Sequence, residues 1–230
     1  IVAAGWAETS LTDISFALAR YNTDGTLDTS FGTGGTLTTA FSFSHAEARS
    51  VAIQQDGKIV AAGESAAFSW QAEFALARYN TDGSLDTSFG TGGKVTTATG
   101  SGQDIVHAVA IQPGGKIVAA GESGDASNYS DFALARYNTD GTLDTSFGGG
   151  AVVTTSFQGS WDSAKGVAIQ SDGKIVAAGE SWNPNGTYGW NFALSRHNAD
   201  GTLDTSFGTG GKVLCSIPDS NDFAEAVAAF

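Results

Sequence analysis

The side chains of this chain best suited to chemistry are carboxylates and amides that recur four times in the pattern N-x-D-G-x-x-D. Oxygen ligands on a loop turned by glycine are what Ca²⁺ requires. The pattern therefore raises calcium as a candidate cofactor. The candidate ligands are Asn22, Asp24, Asp28, Asn80, Asp82, Asp86, Asn138, Asp140, Asp144, Asn198, Asp200 and Asp204.

An arginine precedes each loop where the first calcium ligand would stand. The spacing resembles part of the loop D-x-[DN]-x-D-G-x-x-D of integrin-type propellers, but Arg20 and its equivalents Arg78, Arg136 and Arg196 replace the first oxygen. A guanidinium repels a cation and can itself pair with the last aspartate of the pattern. We therefore predict a turn closed by an Arg–Asp pair and no cofactor, with calcium as the alternative.

Glutamates occupy a second recurrent position, at Glu64, Glu122 and Glu180, where the first copy has Trp6. Two carboxylates of this kind could serve a glycosidase. Repetition at equivalent positions favours a structural role, because a catalytic pair needs two different environments. We predict that the protein is not an enzyme. The observation that would favour an enzyme is a pocket holding two unlike carboxylates.

Tryptophans lie in the segments that differ most between copies. Exposed aromatic side chains on loops provide a contact surface for a protein or a glycan, or alternatively cover a small core. The variable segments are residues 6–14, 65–73, 123–131 and 181–191 in one set, and 41–50, 99–108, 157–166 and 217–226 in the other. The candidate binding residues are Trp6, Trp70, Trp161, Trp182 and Trp190.

The charge of the chain excludes one class of partner. Lys and Arg number 11 against 24 Asp and Glu, for a net charge of −13. Nucleic-acid binding depends on clustered basic residues, so we expect no nucleic-acid partner. No apolar run approaches the ~18 residues of a membrane span, so we expect no membrane insertion. The absence of Met, even at position 1, is expected for a processed chain or a fragment.

The elements that must position these residues come from one tandem repeat. The string IVAAG begins at Ile1, Ile59, Ile117 and Ile175, which are 58 positions apart. A period of this length is typical of a propeller or a solenoid. One copy cannot bury its apolar face alone, so we predict a single domain over residues 1–230. Its repeats begin near Ile1, Val51, Val109 and Val167.

Each repeat contains antiparallel hairpins. Residues 51–54 and 59–62 are β-prone runs joined by the Asp56-Gly57 turn, and residues 74–79 continue as a third strand. The outermost strand is either residues 85–89 or residues 95–97. We predict an all-β, four-bladed propeller. In such a meander the constant turns share one face and the variable segments share the other.

The two ends of the chain complement each other. Ile1 starts a second strand without a first, and residues 226–230 resemble a first strand without a second. We predict that residues 226–230 pair with residues 1–5 and close the ring, which removes exposed sheet edges. The alternative is pairing with the next molecule, which would build a filament.

The strings FALARYNTDGTLDTSFGTGG and VAIQPGGKIVAAGES resemble the delta-60 repeat. This is a bacterial family of propeller-forming repeats associated with secreted or surface proteins. The resemblance implies a secreted or cell-surface location. No enzymatic activity is assigned to the family that could be transferred to this chain. We expect a structural or adhesive module that self-associates into a surface fibre by strand pairing or ring stacking. The alternative is a lectin-like or protein-binding module that uses the variable aromatic segments.

Overall fold

The computed structural model describes residues 1–8, 10, 13–67, 71–127, 129–157, 161–183 and 189–229. The regular secondary structure of this part of the chain is β-strand, and it contains no helix that could cross a membrane. The strands are β1 (Val2–Glu8), β2 (Ile14–Arg20), β3 (Thr36–Thr39), β4 (His45–Ile53), β5 (Ile59–Ala66), β6 (Ala72–Tyr79), β7 (Lys94–Thr97), β8 (Asp104–Ile111), β9 (Ile117–Gly124), β10 (Ser130–Tyr137), β11 (Val152–Thr155), β12 (Asp162–Ile169), β13 (Ile175–Trp182), β14 (Trp190–His197) and β15 (Lys212–Cys215).

Repeats two, three and four are antiparallel meanders of four strands each: β4 to β7, β8 to β11, and β12 to β15. Repeat one contributes β1, β2 and β3, and one parallel bridge between Ile14 and His45 joins it to β4. The outermost strand is the later of the two predicted segments, because β7 pairs with β6. The earlier segment contributes only a bridge from Leu85 to Tyr79.

The constant turns lie together, as predicted. Lys58, at the end of the first turn of repeat two, bonds to Asp86, which follows the second turn of the same repeat. The first strands β4, β8 and β12 start earlier than expected and take up half of the segments predicted as loops. They contact one another in that order, so they line the side of the array where the repeats meet.

The apolar core is divided into three clusters, and each cluster lies between two consecutive repeats. Phe16 and Leu18 of repeat one pack against Ile59 and Ala77 of repeat two. The same arrangement recurs between repeats two and three and between repeats three and four. A repeat therefore depends on its neighbours to bury its side chains, which is the behaviour of a tandem array.

The predicted pairing of the two chain ends is absent from the described residues. Residues 221–229 form no strand, and β1 pairs with β2 alone. The physical reason is that this segment is attached to repeat four. The Asn221 side chain accepts hydrogen bonds from the Gly189 and Trp190 amides, and Asp222 N donates to Trp190 O at 3.0 Å. Closure of a four-bladed ring is thus not shown, and Phe230 lies outside the described residues.

Candidate functional site

The predicted Arg–Asp pair is present in all four repeats. The arginine Nε lies 2.9 Å from a carboxylate oxygen of Asp28 in repeat one and 2.8 Å from that of Asp86, Asp144 and Asp204 in the others. The second oxygen of each aspartate accepts bonds from a serine two residues later. Bonds from Lys116 and Ser146, with the charge of Arg136, hold the pKa of Asp144 well below its ordinary value.

The other candidate calcium ligands are bonded within their own turns. Asp24 Oδ1 accepts from Thr26 N and Thr26 Oγ1 at 2.9 and 2.6 Å, and Asn22 Nδ2 donates to Thr26 Oγ1. Repeats two, three and four reproduce these bonds. One oxygen of each of these aspartates therefore already has donors, and calcium binding stays a prediction to be tested.

Each of the three glutamates lies close to a basic side chain placed by a β-bulge, a feature that was not predicted from the sequence. Strands β4, β8 and β12 each carry a bulge that leaves one residue outside the pairing, at Arg49, His107 and Lys165. A bulge redirects a side chain. Here it places the basic group 2.9 Å from Glu64, 3.9 Å from Glu122 and 3.5 Å from Glu180, respectively. The signal in the sequence was the spacing of 58 between three residues that can carry positive charge.

One group of His, Cys, Asp and Glu in the described part of the chain has metal-binding geometry, formed by His45, Glu47 and Glu64. The Arg49 guanidinium lies 3.1 Å from Glu47 and 2.9 Å from Glu64. Its single positive charge is shared between the two carboxylates and opposes the approach of a cation. We interpret this group as an ion-pair network.

A cavity of about 420 Å³ lies at the junction of repeats three and four. Its size is in the range of small-molecule sites. Three aromatic side chains and two carboxylates line it together with small polar groups. The lining residues are Gln103, Glu122, Gly124, Tyr129, Ser130, Trp161, Ser163, Glu180 and Trp190.

The aromatic side chains of the cavity belong to a continuous row. The order of the rings is Tyr129, Trp161, Trp182, Trp190 and Phe223. The centroids of successive rings in this order are 5.4, 6.5, 5.3 and 5.9 Å apart. Tyr129 and Trp161 are 45% and 42% exposed, so faces of the row remain open to solvent. The row joins residues of both variable segment sets, which confirms that these sets share a face.

The structure places the predicted tryptophans differently from one another. Trp161, Trp182 and Trp190 come together in the row. Trp6 is 51% exposed on repeat one and makes no ring contact of this kind with another described residue. Trp70 lies outside the described residues. Trp6, Trp182 and Trp190 also lie in strands rather than in the predicted loops, because β1, β13 and β14 extend into the variable segments.

The two glutamates of the cavity differ electrostatically. Burial raises the pKa of Glu122, but the nearby polar groups of His107 and Ser163 and the charges of His107 and Lys165 outweigh this effect, so the pKa of Glu122 is lowered. Burial raises the pKa of Glu180, and the Glu225 and Glu122 carboxylates raise it further. Lys165 lowers the pKa but does not outweigh these effects, so the pKa of Glu180 is raised. Sequence reasoning expected three equivalent glutamates, whereas tertiary contacts make two of them unlike within one pocket.

The comparison with known families agrees with this architecture. A family model described as a domain of unknown function (DUF5122) beta-propeller matches residues 1–31, 54–89, 112–147 and 170–207. No curated protein matches the chain. The matched segments contain the N-x-D-G-x-x-D turns and the second and third strands of the repeats. The chain therefore belongs to the DUF5122 beta-propeller family.

Proposed function

We propose that this propeller is a non-enzymatic extracellular adhesive module that binds carbohydrate in the aromatic cavity. The observation that carries this proposal is the combination of Tyr129, Trp161 and Trp190 with Glu122 and Glu180 around one cavity. A concave site with an apolar aromatic wall and few polar groups is the usual form of a small-ligand site.

Carbohydrate is the ligand chemistry that uses both kinds of wall. The C–H faces of a sugar ring pack on aromatic rings, whose bodies are apolar. Sugar hydroxyls donate hydrogen bonds to carboxylates, and bonds to charged acceptors are the stronger ones. A flat protein partner would contact the exposed row of rings but would not reach the two glutamates inside the cavity.

The extracellular location rests on two supports. The repeats resemble the delta-60 family of secreted and surface proteins, and assignment to that narrower family is part of this proposal. The net charge of −13 favours solubility and disfavours adhesion to polyanions. Closure of the four repeats into one ring stays a prediction, since it requires residues 226–230 to pair with β1.

The test is titration of immobilised and free glycans against the parent chain and two tryptophan variants. Trp161→Ala removes a ring of the cavity, and we expect affinity to fall by about tenfold or more, as for loss of an aromatic anchor. Trp6→Ala is the matched control, because Trp6 is comparably exposed on repeat one. Equal loss in both variants, or no glycan bound by the parent, would contradict the proposal.

The position of Glu122 and Glu180 in the lining of one cavity, with pKa shifts in opposite directions, favours a second candidate, a glycoside hydrolase, because acid and base roles need two different environments. Mass analysis of a bound oligosaccharide after prolonged incubation separates the two functions. Intact recovery supports binding alone. Cleavage that Glu180→Gln abolishes, while binding persists, would instead establish an enzyme.

A further inference from the structure

Consecutive repeats contact each other through two different faces. We name the first the phenylalanine face, which in repeat two consists of Phe74, Leu76 and Phe89. We name the second the alanine face, which in repeat three consists of Ile117, Ala119, Ala133, Ala135 and Tyr137. These two faces form one apolar cluster. The equivalent residues form the clusters between repeats one and two and between repeats three and four.

Polar contacts fix the register of each joint. Arg78 Nη1 donates to Thr139 O of the next repeat, and Gly90 N donates to Asp140 O at 2.7 Å. Arg20 and Arg136 make the same contact with Thr81 O and Ala199 O. Gly32 N and Gly148 N likewise donate to Asp82 O and Asp200 O. Three joints of one design are therefore built within the chain.

Among the described residues of this chain, one face of each kind has no neighbouring repeat packed on it. On the phenylalanine face of repeat four, Phe207 is half-buried where Phe31, Phe89 and Phe147 are 0% exposed. Cys215 of this face is exposed, whereas the equivalent Thr39, Thr97 and Thr155 are buried.

The uncovered alanine face belongs to repeat one. Ile1 is 76% exposed, and its equivalents Ile59, Ile117 and Ile175 are at most 2% exposed. Ala3 is exposed and Tyr21 is half-buried, where Ala61 and Tyr79 are buried.

We propose that the phenylalanine face of repeat four binds the alanine face of repeat one in a second copy of this chain. The donors of the contact are the Arg196 guanidinium and Gly208 N, and the acceptors are the carbonyl oxygens of Thr23 and Asp24. Each is the repeat equivalent of a group that bonds across the internal joints. This head-to-tail contact goes beyond the proposed carbohydrate binding and does not depend on it. Repeated, it either closes after a few copies or continues as a filament.

Gly25 offers a way to block this contact without disturbing the monomer. A Cβ atom added at Gly83, Gly141 or Gly201 would lie 2.7–2.8 Å from a glycine amide nitrogen of the preceding repeat, whereas one at Gly25 meets nothing within 4 Å. Gly25 has a φ of 86°, which asparagine tolerates better than other non-glycine residues. Gly25→Asn should therefore fold and fail to accept a second copy. The control is Gly34→Asn, at a φ of 63° in open space.

Sedimentation velocity of the full chain over a wide concentration range tests the proposal. We expect species above 23.4 kDa to grow with concentration. Gly25→Asn should weaken association at least tenfold, and Gly34→Asn should behave as the parent. A parent that remains monomeric throughout, or equal association of Gly25→Asn, overturns the proposal. Glycan binding by Gly25→Asn should be unchanged, so failure of assembly and failure of carbohydrate recognition are distinguishable.

A cross-linking experiment separates this contact from closure within one chain. Cys215 is the only cysteine, and Thr39 and Thr97, its equivalents, bond to Tyr79 and Tyr137 of the next repeat. The variant Tyr21→Cys, treated with a short bifunctional maleimide, should give a ladder of linked chains. A monomer bridged internally between positions 21 and 215 shows ring closure and refutes the proposal, as does the absence of any bridge.

Discussion

Asp86 and Asp28 occupy the same position of the repeat but differ in their surroundings. The side chains of Arg78 and Asp86 are 6% and 8% exposed, and those of Arg20 and Asp28 are 20% and 25% exposed. Repeat two supplies Lys58, whose Nζ lies 2.9 Å from Asp86, and the described part of repeat one has no equivalent hairpin turn. The neighbouring groups, rather than the motif alone, therefore determine how much each Arg–Asp pair contributes to the free energy of unfolding.

We predict that Asp86→Asn lowers the free energy of unfolding by roughly 2 kcal/mol, because it leaves a buried guanidinium without its counter-charge. Asp28→Asn makes the same chemical change at a less buried pair and should lower the free energy of unfolding by clearly less. Urea denaturation of the two variants gives the comparison. Equal losses would show that burial does not govern these pairs.

His197 replaces the tyrosine found in the other repeats, and burial of its ring lowers the pKa of His197. The unfolded chain takes up a proton near pH 6.5, and the folded chain takes it up only at lower pH. The contribution of neutral His197 to the free energy of unfolding is therefore fully present above pH 6.5. It is lost as the pH falls through the pKa of His197 in the folded chain.

The double variant Ser195→Ala with His197→Tyr should remove this pH dependence. It gives repeat four the Ala and Tyr of repeats two and three, where the tyrosine hydroxyl bonds to a threonine of the preceding repeat. We expect the free energy of unfolding to rise by about 1 kcal/mol, because the hydroxyl of the new tyrosine can bond to Thr155. Melting temperatures at pH 7 and pH 5.5 measure both effects. An unchanged difference between the two pH values would contradict this role of His197.

At the scale of the element, the glycine of the IVAAG string is explained by the bulge. A Cβ atom at Gly63, Gly121 or Gly179 would collide with a backbone carbonyl of the neighbouring first strand. Gly5 is the equivalent in repeat one, and an added Cβ there meets nothing within 4 Å. The same residue type is therefore required by packing in three repeats and is unconstrained in the first.

We predict that Gly121→Ala destabilises the fold by about 1–3 kcal/mol through overpacking. Gly5→Ala should be neutral or should stabilise by up to about 1 kcal/mol, because alanine loses less backbone entropy in a strand. Thermal unfolding of both variants provides the measurement. A large loss in Gly5→Ala would indicate that a first strand lies against β1, as the closed ring requires.

At the scale of the whole molecule, each of the four N-x-D-G-x-x-D turns is closed by hydrogen bonds from Arg, Ser and Thr groups to its aspartates. We expect these bonds to make the turns rigid without an ion. We predict that EDTA leaves the melting temperature unchanged and that added Ca²⁺ does not raise it. Scanning calorimetry with and without chelator measures this. A fall in melting temperature that Ca²⁺ reverses would restore the calcium interpretation.

Features that follow from local pattern were predictable. The hairpins, the Arg–Asp pair and the separation of constant from variable faces depend on residues close in the chain or equivalent between repeats. The aromatic row was only partly predictable. Its tryptophans were identified, but Tyr129 and Phe223 come from different repeats, and no spacing rule brings their rings to Trp161 and Trp190.

The sequence by itself determined the repeat, its strands and its turns, because alternation and turn chemistry act over a few residues. Tertiary structure alone decided which carboxylates share a cavity and how their pKa values differ, since both depend on burial and on charges from other strands. It also decided that Ile1 and Cys215 are exposed where their equivalents in the other repeats are buried. The sequence predicts that residues 226–230 pair with residues 1–5, but only the packing of each repeat on its neighbour determines whether these segments meet.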